Sequence, residues 1–279
     1  MNKRILRATL VAGVVLAGVS GLASAVAAQA STLPTLTLAL TKSSITVGGA
    51  TQSGAVNVVT TATGTKEASA ILFQLKPGVT VAEVEAFLAS KRAKDPNNAS
   101  RYGSIVFDEE AAPGKTSEAQ TVLQPGQYLA LIAEGEGGPK VHASFTVTAA
   151  PSPAALPAAQ ATERAIEFDF RGPKTLHDGE LVRFENEGFL VHMDVAFPAK
   201  SLSDAKAIVK GLSAGKEKGL EKLVTGEPFE FAGPVSHEAF QQETITAKPG
   251  WYVQACFMET QEGVPHTRLG MERIIKIVK

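Results

Sequence analysis

Residues 247–271 read AKPGWYVQACFMETQEGVPHTRLGM. A Pro-Gly corner opens a strand-like run, Trp251 to Phe257, and the apolar pattern then breaks into a polar loop around Glu259 to Gly263. A corner of the same form, Leu123-Gln124-Pro125-Gly126-Gln127-Tyr128, precedes the strand-like run Leu129 to Ala133. Pro125-Gly126 and Pro249-Gly250 lie 124 residues apart, as do Gly64 and Gly188, and Phe73 and Phe197. Three anchors at one spacing mark an internal duplication.

Working outward, the first copy offers strand-like runs at Ala55 to Val59, Ala68 to Leu75 and Ala143 to Thr148, with a helical stretch from Val81 to Leu88. The second offers Glu180 to Glu185, Val191 to Phe197 and Arg273 to Val278, with a longer helical stretch from about Ser203 to Leu223. Lysines 206, 210, 216, 218 and 222 on that stretch alternate with apolar Ala207, Ile208, Leu212, Leu220 and Leu223, as in a solvated amphipathic helix. Residues 149–162, AAPSPAALPAAQAT, are low in complexity, contain three prolines and show no hydrophobic period, so they are expected to be a linker. The expected organisation is a domain over 31–148, a Pro/Ala linker over 149–162 and a second domain over 163–279. Each domain is expected to be a Greek-key β-sandwich with one helical excursion, which makes the protein all-β.

Composition agrees. The 279-residue chain is 44% hydrophobic and 20% charged, enough for a buried core and unlike a disordered chain. Its 25 Gly and 15 Pro favour short strands and frequent turns, and a net charge of −1 gives no support to nucleic-acid binding. Lys3, Arg4 and Arg7 precede an apolar stretch from Leu10 to Ala27, followed by Ala23-Ser24-Ala25, Ala25-Val26-Ala27 and Ala28-Gln29-Ala30 as cleavage sites. Residues 1–30 thus read as a secretory signal peptide. A retained membrane anchor is disfavoured by Gly13, Gly18 and Gly21, so no stable membrane insertion is expected after cleavage. Loss of the three basic residues takes the net charge from −1 to −4, leaving a mildly acidic protein of the periplasm or extracellular space. Exported proteins usually pair their cysteines, yet Cys256 has no partner in the chain. It is a buried filler, a reactive thiol, an intermolecular bridge or a metal ligand.

His192, Cys256, His266 and Met271 together offer two imidazoles, a thiolate and a thioether, a donor set that suits copper. Cys256, His266 and Met271 would fall on one strand-loop-strand segment, with His192 reaching in from a neighbouring strand. On these residues the second copy resembles the cupredoxin (plastocyanin-like, type 1 blue copper) family. The shared features are the strand–Cys–loop–His–loop–Met ending, Gly270 just before Met271, Asn186-x-Gly188 ahead of His192, and the Pro-Gly-x-Tyr corner. The resemblance covers roughly 163–279 and implies one type 1 copper on His192, Cys256, His266 and Met271. It also implies an electron carrier or copper-holding factor of the cell envelope, partnered by a redox protein or an envelope component. The alternative is a metal-free binding or adhesion module on the same fold.

The nine residues between Cys256 and His266 exceed the plastocyanin loop and are closer to that of copper nitrite reductases, so a looser site is expected. The first copy shares only the scaffold. At the 124-residue spacing Ala68 stands for His192 and Ile132 for Cys256, which leaves a non-metallated scaffold or partner-binding module. Multicopper enzymes relay electrons through a His beside the Cys, whereas Ala255 and Phe257 flank Cys256 here, and five His in all are too few for an added cluster. No P-loop and no G-x-G-x-x-G fingerprint appears, so the expected protein is not an enzyme. His177 beside Asp178-Gly179 is expected at the surface, and His237 in a loop. Met193 and Met258 fit core positions, and Asp108-Glu109-Glu110 reads as a solvated acidic run.

Overall fold

Alternation fixes the first strand. In Thr35-Leu36-Thr37-Leu38-Ala39-Leu40 the three leucines all point inward and are no more than 1% exposed, as a half-buried strand requires. The computed structural model describes residues 33–64, 68–133 and 139–279, so the signal-peptide reading of 1–30 falls outside the described residues. The first copy comprises β1 (Thr35–Leu40), β2 (Ile45–Gly49), β3 (Gly54–Ala62), β4 (Ala68–Leu75), α1 (Val81–Leu88), β5 (Gly103–Ala111), β6 (Thr116–Leu123), β7 (Gly126–Ala133) and β8 (Lys140–Val147). The second comprises β9 (Ala161–Ile166), β10 (Asp169–Arg171), β11 (Thr175–His177), β12 (Leu181–Asn186), β13 (His192–Ala199), α2 (Leu202–Ser213), β14 (Phe229–Val235), β15 (Phe240–Thr244), β16 (Gly250–Ala255) and β17 (Glu272–Val278).

Two β-sandwiches result. In the first, the strands β2-β1-β3-β6 cover β5-β4-β7-β8 around Leu36, Leu72, Phe107 and Tyr128. In the second, β10-β9-β12-β15 cover β11-β17-β16-β13-β14 around Phe184, Phe231, Tyr252 and Ile275. Strands β6 and β15 meet at Gln120↔Gln242, which joins one layer of each copy into an eight-stranded sheet. The duplication is visible residue by residue: β4 and β13 begin and end 124 positions apart. Both Pro-Gly corners are tied alike, since Tyr128 Oη donates to the Gln124 carbonyl at 3.0 Å and Tyr252 Oη to the Lys248 carbonyl at 2.8 Å.

Three expectations need correction. The second helical stretch is shorter than 203–223: α2 ends at Ser213, and only a 3-10 turn, Leu220–Leu223, follows. Gly215 and Gly219 both take positive φ there, which an α-helix cannot contain. Helix α2 buries Ala205, Ile208 and Leu212 against Val253 and Ala255 of β16, while Ala207 is exposed. The segment read as linker is packed chain: the Ala55 N–H donates to the Ala154 carbonyl at 2.9 Å, Gln242 Nε2 reaches the Pro157 carbonyl at 3.2 Å, and β9 already starts at Ala161. The acidic run is solvated only at Glu110. Asp108 is 3% exposed and Glu109 6%, where β5 packs on β14 between the two copies. Gln241 holds both, accepting from the Asp108 N–H at 3.4 Å and donating to Glu109 Oε2 at 3.2 Å. Burial pushes the carboxyls of Asp108 and Glu243 up, and that of Glu109 to about 8, because a buried carboxyl is held more easily neutral than charged.

The sequence also contains one G-x-S-x-G string, Gly211-Leu212-Ser213-Ala214-Gly215, but it closes the end of α2. Ser213 Oγ donates back to the Val209 carbonyl at 3.0 Å, and no strand-to-helix turn exists there to make a nucleophile elbow.

Candidate metal centre

Strand pairing brings the chemistry together. Strand β13 lies beside β16 with Val195 opposite Ala255, so His192 at the start of β13 and Cys256 just after β16 share one end of the second sandwich. Cys256 Sγ lies 3.7 Å from His192 Nδ1 and 3.3 Å from His266 Nδ1. The three ligand atoms are within 4.8 Å of one another, and each of the three residues is 0% exposed. Met271 is equally buried, in the same core cluster as Cys256. Its N–H donates to the His266 carbonyl at 3.1 Å, and its carbonyl accepts from the Cys256 N–H at 3.2 Å. His192, Cys256 and His266 therefore group at one place, and Met271 is tied to the last two of them through its backbone. His177 and His237 are exposed and do not join the ligand group, although His237 Nδ1 lies 2.8 Å from the Gly188 carbonyl at its rim.

The nine-residue loop is tighter than its length suggests. Glu259 bridges Pro265, the Thr260 N–H donates to the Val264 carbonyl at 2.9 Å, and the Gly263 N–H returns to the Thr260 carbonyl at 2.9 Å. Gly263 takes a φ of +74°, a conformation that glycine adopts without penalty. The His266 N–H then donates to the Met258 carbonyl at 2.8 Å, which anchors the ligand to the far side of the loop. The expected looseness is absent because the extra residues pair with each other.

Asn186 explains the Asn-x-Gly signature. Buried to 1%, it accepts from the Gly188 N–H at 2.9 Å and donates to the carbonyls of Leu190 and Val235, both at 2.8 Å. The turn it fixes carries the chain into His192. A Cβ on Gly188 would stand 2.6 Å from both His192 Nε2 and Glu167 Oε1, so no side chain fits there. Glu167 carries no sequence signal of its own, yet its Oε1 lies 3.4 Å from His192 Nε2 and accepts from the Leu190 N–H at 2.8 Å. Burial works against its ionisation, but the Leu190 N–H and the His192 ring outweigh it and hold the carboxyl below its ordinary value. A carboxylate behind a ligating imidazole selects the ring tautomer that leaves Nδ1 free to ligate. Phe168 meets the His266 ring edge-on at 4.9 Å between centroids.

Burial sets the electrostatics of the cluster. Burial pushes the Cys256 thiol up to about 12 and His266 down to about 4, the latter helped by His192. Burial also lowers His192, with Glu167 working against the shift. Without a cation the three groups are neutral, and His266 Nε2 is buried with no hydrogen-bond partner. A soft sulfur and two imidazole nitrogens converging in a fully buried cluster fit copper, and the thiol must give up its proton when a metal binds.

No protein-family model matches the chain, and no curated protein matches it by sequence. Solved structures do. Auracyanin from Roseiflexus castenholzii is 16% identical over 44% of this chain and 100% of its own, with a TM-score of 0.26. Auracyanin A from Chloroflexus aurantiacus, described as a blue copper protein, is 17% identical over 42% of this chain and 96% of its own, with a TM-score of 0.26. The copper-containing nitrite reductase from Thermus scotoductus is 13% identical over 88% of this chain and 67% of its own, with a TM-score of 0.25. At these identities and scores the likenesses transfer no activity to this chain. The functional reading rests on the cluster itself.

Proposed function

We propose that the second copy holds one copper ion on His192, Cys256 and His266, with Met271 as a weak axial ligand, and that the protein serves as an electron carrier or copper-holding factor of the cell envelope. The observation that carries the reading is the convergence of Sγ and two Nδ1 atoms within 4.8 Å at 0% exposure. When bound, copper supplies reversible one-electron transfer. The chain's own residues supply a rigid, buried cradle: Asn186 and Gly188 set His192, the paired loop sets His266, and α2 backs the strand that leads to Cys256.

A carrier fits better than an enzyme. Ala255 and Phe257 flank Cys256, and among the described residues no second His/Cys/Asp/Glu group of this kind accompanies the first. The exposed large apolar side chains among the described residues, Phe189 at 84% and Leu269 at 42%, both lie on segments that bear ligands, where a redox partner could dock transiently. No described helix is long and apolar enough to cross a membrane. Export follows from the reading of residues 1–30 as a signal peptide.

Addition of one equivalent of Cu(II) to purified protein should produce an intense thiolate-to-copper band in the orange-red region and a stoichiometry of one copper per chain. A colourless protein that retains no copper after gel filtration would overturn the reading.

A further inference from the structure

The residues that flank the ligands do not stay in their own domain. Val191, which precedes His192, is 4% exposed and sits in a core cluster of the first copy with Phe73, Phe87, Ile105 and Leu129. Met258, two residues after Cys256, packs against the same cluster. Between them stands Asn97, 8% exposed, on the segment that connects α1 to β5. Its Oδ1 accepts from the Val191 N–H at 2.6 Å, and its Nδ2 donates to the Glu259 carbonyl at 3.4 Å. Asp95 fixes the orientation of that amide, accepting from Asn97 Nδ2 at 2.7 Å and from the Asn97 N–H at 2.9 Å. One side chain of the first copy thus grips the backbone before His192 and the backbone after Cys256. Because the Met258 carbonyl accepts from the His266 N–H at 2.8 Å, the same grip extends to the third ligand.

We propose that the first domain, none of whose described residues joins the ligand group, is the positioning element of the metal centre, and that Asn97 is the residue through which it acts. The inference rests on the copper reading and adds that the centre is assembled across the two copies rather than within one. A ligand cage keeps its geometry only as far as the backbone on either side of each ligand is held, and outer partners of this kind typically alter metal affinity by about 10–100-fold when removed. Asn97 holds two of those backbones at once, 94 and 162 residues away in the sequence.

The test uses the full-length protein with copper alone as the probe. Asn97→Ala should shift the thiolate-to-copper band and the copper hyperfine coupling, weaken copper binding by about 10–100-fold, and speed hydrogen exchange at the Val191 amide in the metal-free protein. Asn97→Asp keeps an acceptor for the Val191 N–H but loses the donor to the Glu259 carbonyl, and its spectrum and affinity should fall between those of Asn97→Ala and the wild type. Asn98→Ala, on the same segment but bonded only to Arg92 and Asp95, should leave spectrum and affinity unchanged. A wild-type spectrum and affinity in Asn97→Ala would overturn the proposal. If Asn97→Ala does not fold, Asn97→Ser, whose shorter side chain cannot span both backbones, carries the same expectation, and an unshifted spectrum there overturns it as well. Failure of the wild type to bind copper would instead refute the copper reading, while the Val191 exchange measurement would still decide whether Asn97 makes the grip.

Discussion

The two copies share their strands and differ at the open end of the sandwich. Strands β4 and β13 coincide at a spacing of 124 residues, and both Pro-Gly corners carry the same Tyr hydrogen bond. Where the second copy has His192 and Cys256, the first has Ala68 and Ile132, buried to 2% and 4% as plain core. The turn before the strand differs in the same sense. Gly188 is pressed against His192 and Glu167, whereas a side chain on Gly64 would meet nothing within 4 Å. The scaffold therefore tolerates either a metal cage or an apolar filling at this end, and the ligands together with the close turn at Gly188 make the difference.

The largest effect should come from converting the second copy toward the first. Cys256→Ser should abolish the coloured centre outright, and His192→Ala or His266→Ala should weaken copper binding by more than ~100-fold, as read by equilibrium dialysis and absorption. Equal copper retention in all these variants would break the contrast between the copies. Next comes the pair of glycines. Gly188→Ala should cost up to about 3 kcal/mol in chemical unfolding and distort the centre, because the added carbon collides with two side chains. Gly64→Ala should cost only about 1 kcal/mol, from its φ of +67°, and leave the centre untouched.

The interface between the copies supplies a pH test. The Glu109 carboxyl stands near 8 in the folded protein against an ordinary value of 4.5, so above pH 4.5 the unfolded chain releases a proton that the folded chain keeps. Its contribution is fully present below about pH 4.5 and is lost as pH rises through about 8. Stability to urea should fall by up to about 5 kcal/mol across that window, and Glu109→Gln should flatten the fall. A stability that rises with pH over the window would contradict the buried, protonated carboxyl. The smallest effects belong to the corners. Tyr252→Phe should cost about 1 kcal/mol, and Tyr128→Phe somewhat more, because Tyr128 Oη also accepts from the Gln124 N–H at 3.0 Å. Thermal melts of the two variants measure the difference.

Much of this was legible in the sequence where local chemistry is strong. The bounds of β4 and α1 follow from apolar period and from Thr80 and Glu83, which form a capping box at the helix start. The four candidate ligands could be named because the chain's one Cys has no partner and two His and a Met stand in order around it. What stayed hidden depends on partners distant in the chain. Asp108 and Glu109 read as solvated because nothing in the sequence shows that β14 will cover them. Glu167 and Asn97 carry no motif, since each matters only through a residue that folding brings beside it. The tightness of the loop before His266 was also missed, because the pairing of Glu259 with Pro265 depends on turn geometry rather than on length.

The joint between the copies has a consequence for self-association. An open strand edge is a template on which another chain can add, and long flat edges invite polymerisation. Here β6 and β15 close on each other, and β5 and β14 pack edge to edge, so two edges of each sandwich are spent inside the molecule. The eight-stranded sheet ends in β10, three residues long, and β2, which finishes in Gly48-Gly49. The five-stranded sheet ends on its outer side in β11, also three residues long. The four-stranded sheet ends on its outer side in β8, eight residues long, so duplication removes two edges of each sandwich from strand addition and leaves β8 as the long outer edge among the described strands.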